Sequence, residues 1–349
     1  MSIVVQPYQP DMRDTLLAFH ERSFPQRDMG TYERVWRWQY FDNPHEPAGA
    51  RRIWVVTRQS KIIAHLGTMA ARVKLNGETL CGRWSSDLMV DEGYRDGGLG
   101  VWLIREWLKS CELALAKGLS PEVTRVYERL GWHRVPLRPV AQLPLTLRCL
   151  TGRLTRNRPV NATAEGATRW ARRAWTNLRH SRAAGLEFRT VEAFPQETDE
   201  LMERVAGRSG MSILRDRCFL QWRYGDCPAR RHVIETAWRD QLLRGFAVFS
   251  VRPERGFRRG IIHDLEIDAE DGDALHGLLV QSLKHMHDAR ADEVAVLPRT
   301  EAEQSVLASL GFVFRKPPHM MMHDVQYPGR NLAALTTNAN VQLGDGDDW

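Results

Sequence analysis

The chain has 349 residues, of which 43% are hydrophobic and 26% charged, with a formal net charge of +6 and a pI of about 9.2. This is ordinary globular composition with room for about two domains of roughly 100–200 residues, and it excludes a disordered or fibrous chain. No apolar run nears the ~18 residues of a membrane span and no basic-then-apolar leader opens the chain. The five cysteines (Cys81, Cys111, Cys149, Cys218, Cys227) show neither metal nor disulfide spacing, so a cytoplasmic protein is expected.

In chain order, Ile3 to Val5 reads as a short strand and Asp11 to Arg22 as a helix. Trp38-Gln39-Tyr40-Phe41-Asp42-Asn43-Pro44 is an aromatic-acidic segment, read as core anchors and turn formers. The β-branched run Ile53 to Thr57 predicts a strand, and Gln59-Ser60-Lys61 a turn into a second strand, Ile62 to Val73. Asn76-Gly77 is a hairpin signal, followed by a strand from Trp84 to Val90. A glycine-rich stretch then enters a helix with Leu99, Leu103, Trp107 and Cys111 on one face. After a strand from Leu113 to Ala116, Ser120 is placed to cap a helix with Pro121 at its first position, ending at Gly131. Hairpins followed by strand-loop-helix units predict a mixed sheet covered by helices.

Residues 151–184 hold eight arginines and one acid, Glu165, which accounts for the excess charge and leaves the remainder near neutral. A general nucleic-acid surface is therefore not expected. Gly166 to His180 is compatible with an amphipathic helix carrying Trp170 and Trp175. Such a helix suits either an anionic membrane surface or acidic protein, or the seam between domains. From Tyr327 onward large apolar residues are few, and an extended or flexible tail is expected.

Three motifs recur in order. Trp38 to Pro44 returns as Trp222-Arg223-Tyr224-Gly225-Asp226-Cys227-Pro228. Asp87-Leu88-Met89-Val90-Asp91 returns as Asp264-Leu265-Glu266-Ile267-Asp268. Val126-Tyr127-Glu128-Arg129-Leu130-Gly131-Trp132 returns as Val306-Leu307-Ala308-Ser309-Leu310-Gly311-Phe312. The offsets of 184, 177 and 180 residues are nearly constant. A period this long means two tandem domains rather than a solenoid. The divisions drawn are 1–150, a linker at 151–184, 185–326 and a tail at 327–349.

Arg95-Asp96-Gly97-Gly98-Leu99-Gly100 lies between a strand and a helix. Glycines permit close backbone approach, the first helical N–H groups lack intrahelical partners, and Arg95 adds a forked cationic donor. These features suit a phosphate or pyrophosphate. They match neither a Walker A loop nor the full dinucleotide glycine spacing.

The pattern Arg95-x-x-Gly98-x-Gly100, preceded by Leu88-Met89-Val90, resembles the acetyl-CoA motif of GNAT N-acetyltransferases. Val126 to Trp132 resembles that superfamily's second motif. The whole chain is similar to tandem-GNAT proteins with a degenerate C-terminal half. The resemblance implies an α+β fold of two tandem GNAT-like domains, each a mixed, mostly antiparallel sheet flanked by helices. It implies that Leu88, Met89 and Val90 face the pantetheine arm of acetyl-CoA or another acyl-CoA. Backbone N–H groups of Arg95, Asp96, Gly97, Gly98, Leu99 and Gly100 would hold the pyrophosphate. Tyr127 would protonate the departing thiolate, although its spacing with Val123, Val126 and Leu130 equally suits a core position.

The general base departs from the family pattern, since Trp84 and Ser86 stand where a Glu or His is common. Asp87 is the nearest acid, if a bulge turns it inward, but its counterpart Asp264 argues for a structural role. His65 is a further candidate. In the second half the Arg95 position is glycine, the Gly98 position is Leu275, Asp271 and Asp273 would repel a pyrophosphate, and Leu307 replaces Tyr127. That half is expected to pack on the first, wall the acceptor site or mediate dimerisation. Its Glu266 and His263 are read as a solvated strand face before an acceptor pocket. The function expected is acyl transfer to a primary amine of a small molecule or amino sugar. The alternatives are a longer acyl-CoA or acyl carrier protein as donor, and an inactive binding or scaffold module.

Overall fold

The computed structural model describes residues 3–146, 149, 185–206, 209–254, 256–268 and 271–346. The basic linker 151–184 lies outside them. The first half runs β1 (Val4–Pro7), α1 (Arg13–Ser23), α2 (Met29–Phe41), β2 (Ile53–Arg58), β3 (Lys61–Leu75), β4 (Glu78–Val90), α3 (Leu99–Leu108), β5 (Leu113–Lys117), α4 (Pro121–Arg129), β6 (His133–Arg134) and β7 (Val140–Pro144). The second runs β8 (Glu187–Val191), α5 (Glu197–Val205), β9 (Met211–Ile213), α6 (Arg217–Leu220), β10 (Val233–Arg239), β11 (Leu242–Glu254), β12 (Phe257–Ile267), α7 (Gly272–Asp288), β13 (Glu293–Val296), α8 (Glu301–Ser309), β14 (Val313–Arg315), β15 (Met320–Asp324) and α9 (Leu332–Leu335).

Local sequence explains the turns. Asn76 and Gly77 both have positive φ (52° and 84°), as do Gln59 and Ser60 (50° and 61°), so both hairpins close through left-handed two-residue turns. Asp240 and Gln241 (52° and 62°) repeat the second of these in the other half. Ser120 caps α4 by accepting a hydrogen bond from the Val123 N–H, with Pro121 at the first helical position.

The two sheets are interlocked. The first has the order β1-β2-β3-β4-β5-β15-β6, with β9 beside β3, and the second β14-β7-β13-β12-β11-β10-β8. Strand β15 of the second half thus lies between β5 and β6, and β7 of the first half between β13 and β14. The sequence divisions are therefore not the same units as the sheets. Met320, Met321 and Met322 of β15 are fully buried. At about 1.5–3 kcal/mol for each buried methionine, this exchange is a substantial part of the core.

The repeat is visible as a local two-fold at the seam. Trp38 stacks on Trp222 at 4.8 Å between ring centroids. Each indole N–H donates to the other residue's carbonyl, at 2.8 and 3.0 Å. Equivalent residues exchanging identical bonds are what two-fold packing requires. Trp38 and Tyr40 belong to helix α2, whose buried side also holds Tyr32, Val35 and Trp36, rather than to a turn.

Two expectations are corrected. The flexible tail is instead packed through residue 346. Val341, Gln342 and Asp345 are buried, and the buried Arg215 binds both Asp345 and Asp264. Glu266 and His263 are not a solvated face. Glu266 is held by Arg299 at 2.5 Å, and His263 lies within hydrogen-bond distance of Ser250 Oγ at 2.8 Å, both in the interior. An amphipathic pattern assigns an outer face only when nothing covers it. Here the tail does, with Asn340 and Gln342 donating to Glu266 and the Gly344 N–H to the His263 carbonyl.

Candidate active site

Strand β4 positions the site. It pairs with β3 along its length, but with β5 only from Gly82–Trp84 to Leu113–Leu115. Beyond Trp84 the two parallel strands part, leaving the β5 side of Ser85 to Val90 without a strand partner. Leu88, Met89 and Val90 are half-buried along this cleft. A polyamide such as the pantetheine arm can pair with such an edge as a strand would.

At the end of β4 the chain makes a 3₁₀ turn, Glu92–Gly97, none of whose residues is buried. Gly98 follows at φ +70°, a left-handed conformation that favours glycine, and serves as N-cap of α3 without any side-chain cap. Nothing within 4 Å opposes a Cβ at Gly93, Gly97 or Gly98, so the space above the turn is open. Arg95 is exposed, its Nε donating to the Val90 carbonyl at 3.3 Å. Leu99 is buried and anchors the helix end. Exposed amides, an uncapped ten-residue helix and an arginine together suit a pyrophosphate, so the residues present fit an acyl-CoA.

Among the described residues, the second half keeps the parted strands but not the open helix terminus. The Asp271 carboxylate accepts from the Ala274 N–H at 2.9 Å, capping α7 internally, and binds Arg239 and Arg244 at 2.8 and 2.9 Å. A carboxylate thus stands where the first half leaves a helix terminus open. Strands β12 and β13 part in the same manner, pairing only from Arg259–Ile261 to Glu293–Ala295. There the tail fills the gap. Gln342 Oε1 accepts from the Leu265 N–H at 2.9 Å and its Nε2 donates to the Leu265 carbonyl at 3.1 Å. Leu265 is the repeat counterpart of Leu88, so a side-chain amide of the tail covers in the second half the edge that stays open in the first. A cavity of about 520 Å3 remains beside it, lined by Glu266, Asp268, Asp271, Leu275, Arg299 and Asn340. Its carboxylates are engaged by arginines, and it offers no pyrophosphate cradle.

The sheet of the first half separates the two predicted catalytic residues. Tyr127 lies on the face covered by α3 and α4, 1% exposed, edge-to-face with Trp132 at 4.4 Å. Asp87 lies on the other face, which α1 and α2 cover. It has φ +49° where the β3–β4 register shifts, the bulge that turns it inward. Its carboxylate accepts from Tyr40 Oη–H at 3.0 Å. Trp84 is core, and Ser86 Oγ lies 2.6 Å from Gln39 Nε2, so neither serves as a base.

The same face holds His65, already a candidate, and two residues that sequence reasoning missed, His20 and Tyr32. His20 Nε2 is 2.9 Å from Tyr32 Oη. His65 Nδ1 faces the Asp87 carbonyl at 3.1 Å. Burial is the main cause that lowers His20 to about 2, with His65 and Arg27 adding to it, and burial also lowers His65 to about 4. Both imidazoles are neutral near pH 7. Burial and then the Asp87 charge raise the Tyr32 hydroxyl well above the usual range. The i, i+4 spacing of Tyr32, Trp36 and Tyr40 was the available signal. It marks a helix face, but not which strand that face meets.

Residues 4–135 match the acetyltransferase (GNAT) domain family. No curated protein matches the sequence. Among solved structures, a GCN5-related N-acetyltransferase from Anabaena variabilis is 14% identical, with 93% of this chain and 73% of that chain covered and a TM-score of 0.64. A tandem GNAT protein from the clavulanic acid biosynthesis pathway is 15% identical, with 93% and 99% covered and a TM-score of 0.55. N-myristoyltransferase of Saccharomyces cerevisiae, with bound myristoyl-CoA, is 12% identical, with 93% and 79% covered and a TM-score of 0.59. The fold is that of a GNAT acyltransferase, and no helix among the described residues is long and apolar enough to cross a membrane.

Proposed function

We propose that this chain, a tandem GNAT protein, transfers an acetyl group from acetyl-CoA to a primary amine of a small molecule or amino sugar, at one site in its N-terminal half. The observation that carries this reading is the open β4 edge leading directly to the uncapped N-terminus of α3. Backbone groups of Leu88, Met89 and Val90 bind the pantetheine arm. Those of Arg95, Asp96, Gly97, Gly98, Leu99 and Gly100 bind the pyrophosphate. The amine nitrogen attacks the thioester carbon, the C–S bond breaks, and the thiolate leaves. Asp87, on the α1/α2 face, takes the proton lost by the amine. Tyr127, on the opposite face, protonates the thiolate.

Calorimetry with acetyl-CoA tests the site. Gly98→Trp and Arg95→Glu are expected to abolish or strongly weaken binding, and undiminished binding in both sinks the assignment. Thiol release over a panel of amines then tests turnover. Binding without turnover for every amine returns the chain to the scaffold reading. The likeness to a myristoyl-CoA complex favours a longer acyl donor as the second reading. A donor series from acetyl- to myristoyl-CoA separates the two.

A further inference from the structure

We propose that His323, which strand β15 carries into the first half, is a positioning residue for Tyr127, acting through the indole of Trp132. The inference rests on the reading of Tyr127 as the acid. Helix α4 ends in a left-handed turn at Gly131, φ +82°. The Gly131 N–H donates to the Glu128 carbonyl at 3.0 Å, and the Trp132 N–H to the Tyr127 carbonyl at 3.1 Å. Closing a helix this way brings the residue after the turn back against the last turn of the helix. Trp132 accordingly packs edge-to-face with Tyr127, ring centroids 4.4 Å apart and planes at 84°. Trp132 Nε1 is buried and has no hydrogen-bond partner among the described residues. Ring packing therefore orients the indole. Besides Tyr127 it meets Trp107 at 5.7 Å and His323 at 5.8 Å, the latter stacked within 26°.

His323 is itself held in place. It lies opposite Ala114 of β5, two residues from Met321, which shares a core cluster with Tyr127 and Trp132. The two-residue period of a strand puts His323 on that same face. Its Nδ1 is 3.2 Å from the Gly131 carbonyl, which can only accept, so Nδ1 carries a proton. One side chain thus grips both the turn that ends α4 and the indole beside Tyr127. The second half repeats this backbone without the polar groups. Gly311 has φ +80°, its N–H donates to the Ala308 carbonyl at 2.9 Å, and the Phe312 N–H donates to the Leu307 carbonyl at 3.0 Å. At the 180-residue offset the counterparts of Tyr127, Trp132 and His323 are Leu307, Phe312 and Leu143, all buried in one cluster. Leu143 is carried by β7, the strand exchanged the other way, and pairs with Val294 as His323 pairs with Ala114. Leucine, phenylalanine and leucine therefore satisfy the fold. The half with the open helix terminus carries a phenol, an indole and an imidazole instead.

The test is steady-state thiol release from acetyl-CoA, with spermidine, glucosamine and tyramine as acceptors. His323→Leu and Trp132→Phe copy the second half, so both are expected to fold, which thermal melting checks. Each is expected to lower kcat about 10-fold with calorimetric acetyl-CoA affinity kept, as for a reacting group moved out of line. His323→Phe keeps the stacked ring and is expected to retain most of the turnover. His323→Asn keeps a donor near the Nδ1 position but loses the ring, and is expected to fall with His323→Leu. Added to Tyr127→Phe, His323→Leu is expected to cost nothing further, because both act through one hydroxyl. A folded His323→Leu or Trp132→Phe with unaltered kcat, or losses that add to those of Tyr127→Phe, overturns the proposal. Wild-type kcat in Tyr127→Phe overturns the acid, and with it the proposal. Absence of thiol release from wild type with every acceptor instead overturns the transferase reading on which both rest.

Discussion

The proposed site assigns Arg95 a role of charge and Gly98 one of backbone shape, and the two effects separate. Arg95→Glu removes a forked donor and adds repulsion, so acyl-CoA affinity should fall about 10–100-fold, as for one lost charge-assisted bond. Gly98→Trp forces a bulky residue into a conformation at φ +70° and closes the space above it. Its loss of binding should be complete. At Tyr127 the catalytic reading predicts a drop in kcat of about 10²–10⁴-fold for Tyr127→Phe with acyl-CoA affinity kept. A change in stability alone, with kcat unaltered, identifies Tyr127 as core packing against Trp132.

At the scale of elements, β3 and α2 depend on a single small residue. A Cβ at Gly67 would lie 2.2 Å from the Tyr40 hydroxyl. Gly67→Ala must therefore displace the ring that donates to Asp87. The expected loss is about 1–3 kcal/mol in stability, with a larger fall in turnover than in acyl-CoA affinity. Urea unfolding and steady-state kinetics on the same variant check this, and unchanged kinetics contradict it. Most elements of the first half were legible from residue type alone. Asn76-Gly77 fixed a hairpin, Ser120-Pro121 a helix start, and the glycine run around Gly98 the turn from β4 into α3. Helix α2 was not, because Trp36, Trp38, Tyr40 and Phe41 crowd more than one face and blur the 3.6-residue period. The Asp87 bulge was only conditional in the sequence, since a register shift depends on the partner strand. The contact between His20 and Tyr32 was invisible, as it arises from tertiary packing of separate elements.

For the whole molecule, strand exchange is the feature no local pattern could reveal. β7 and β15 have ordinary strand sequences, and only the sheets show that each completes the other half. A fragment ending at residue 146 lacks β15 between β5 and β6. It is expected to unfold without a cooperative transition, whereas coexpression with residues 185–349 should restore one. Independent cooperative unfolding of the fragment contradicts the interlocked core. Acid sensitivity belongs to this scale too. Burial lowers His65 and His232 to about 4, His20 to about 2, and His263 well below its ordinary value. Each imidazole binds a proton in the unfolded chain below about pH 6.5 but not in the folded one. Stability is therefore lost as pH falls below 6.5, by up to about 1.4 kcal/mol per imidazole per pH unit. For His65 and His232 the loss continues to about pH 4. Burial raises Asp264 to about 7 despite Arg215, which acts in the opposite direction, but one carboxyl opposes four imidazoles. The urea midpoint should fall between pH 7.5 and 5.5, and a constant or rising midpoint contradicts the sign.

The proposal of a single cofactor site rests on the tail as well. Gln342 occupies the β12 edge and the Asp271 carboxylate caps α7, so the second cleft is closed by the chain itself. Titration calorimetry of the full chain with acetyl-CoA measures this directly. The account predicts one molecule bound per chain and none for Gly98→Trp. Two molecules per chain, or one that survives Gly98→Trp, would contradict it.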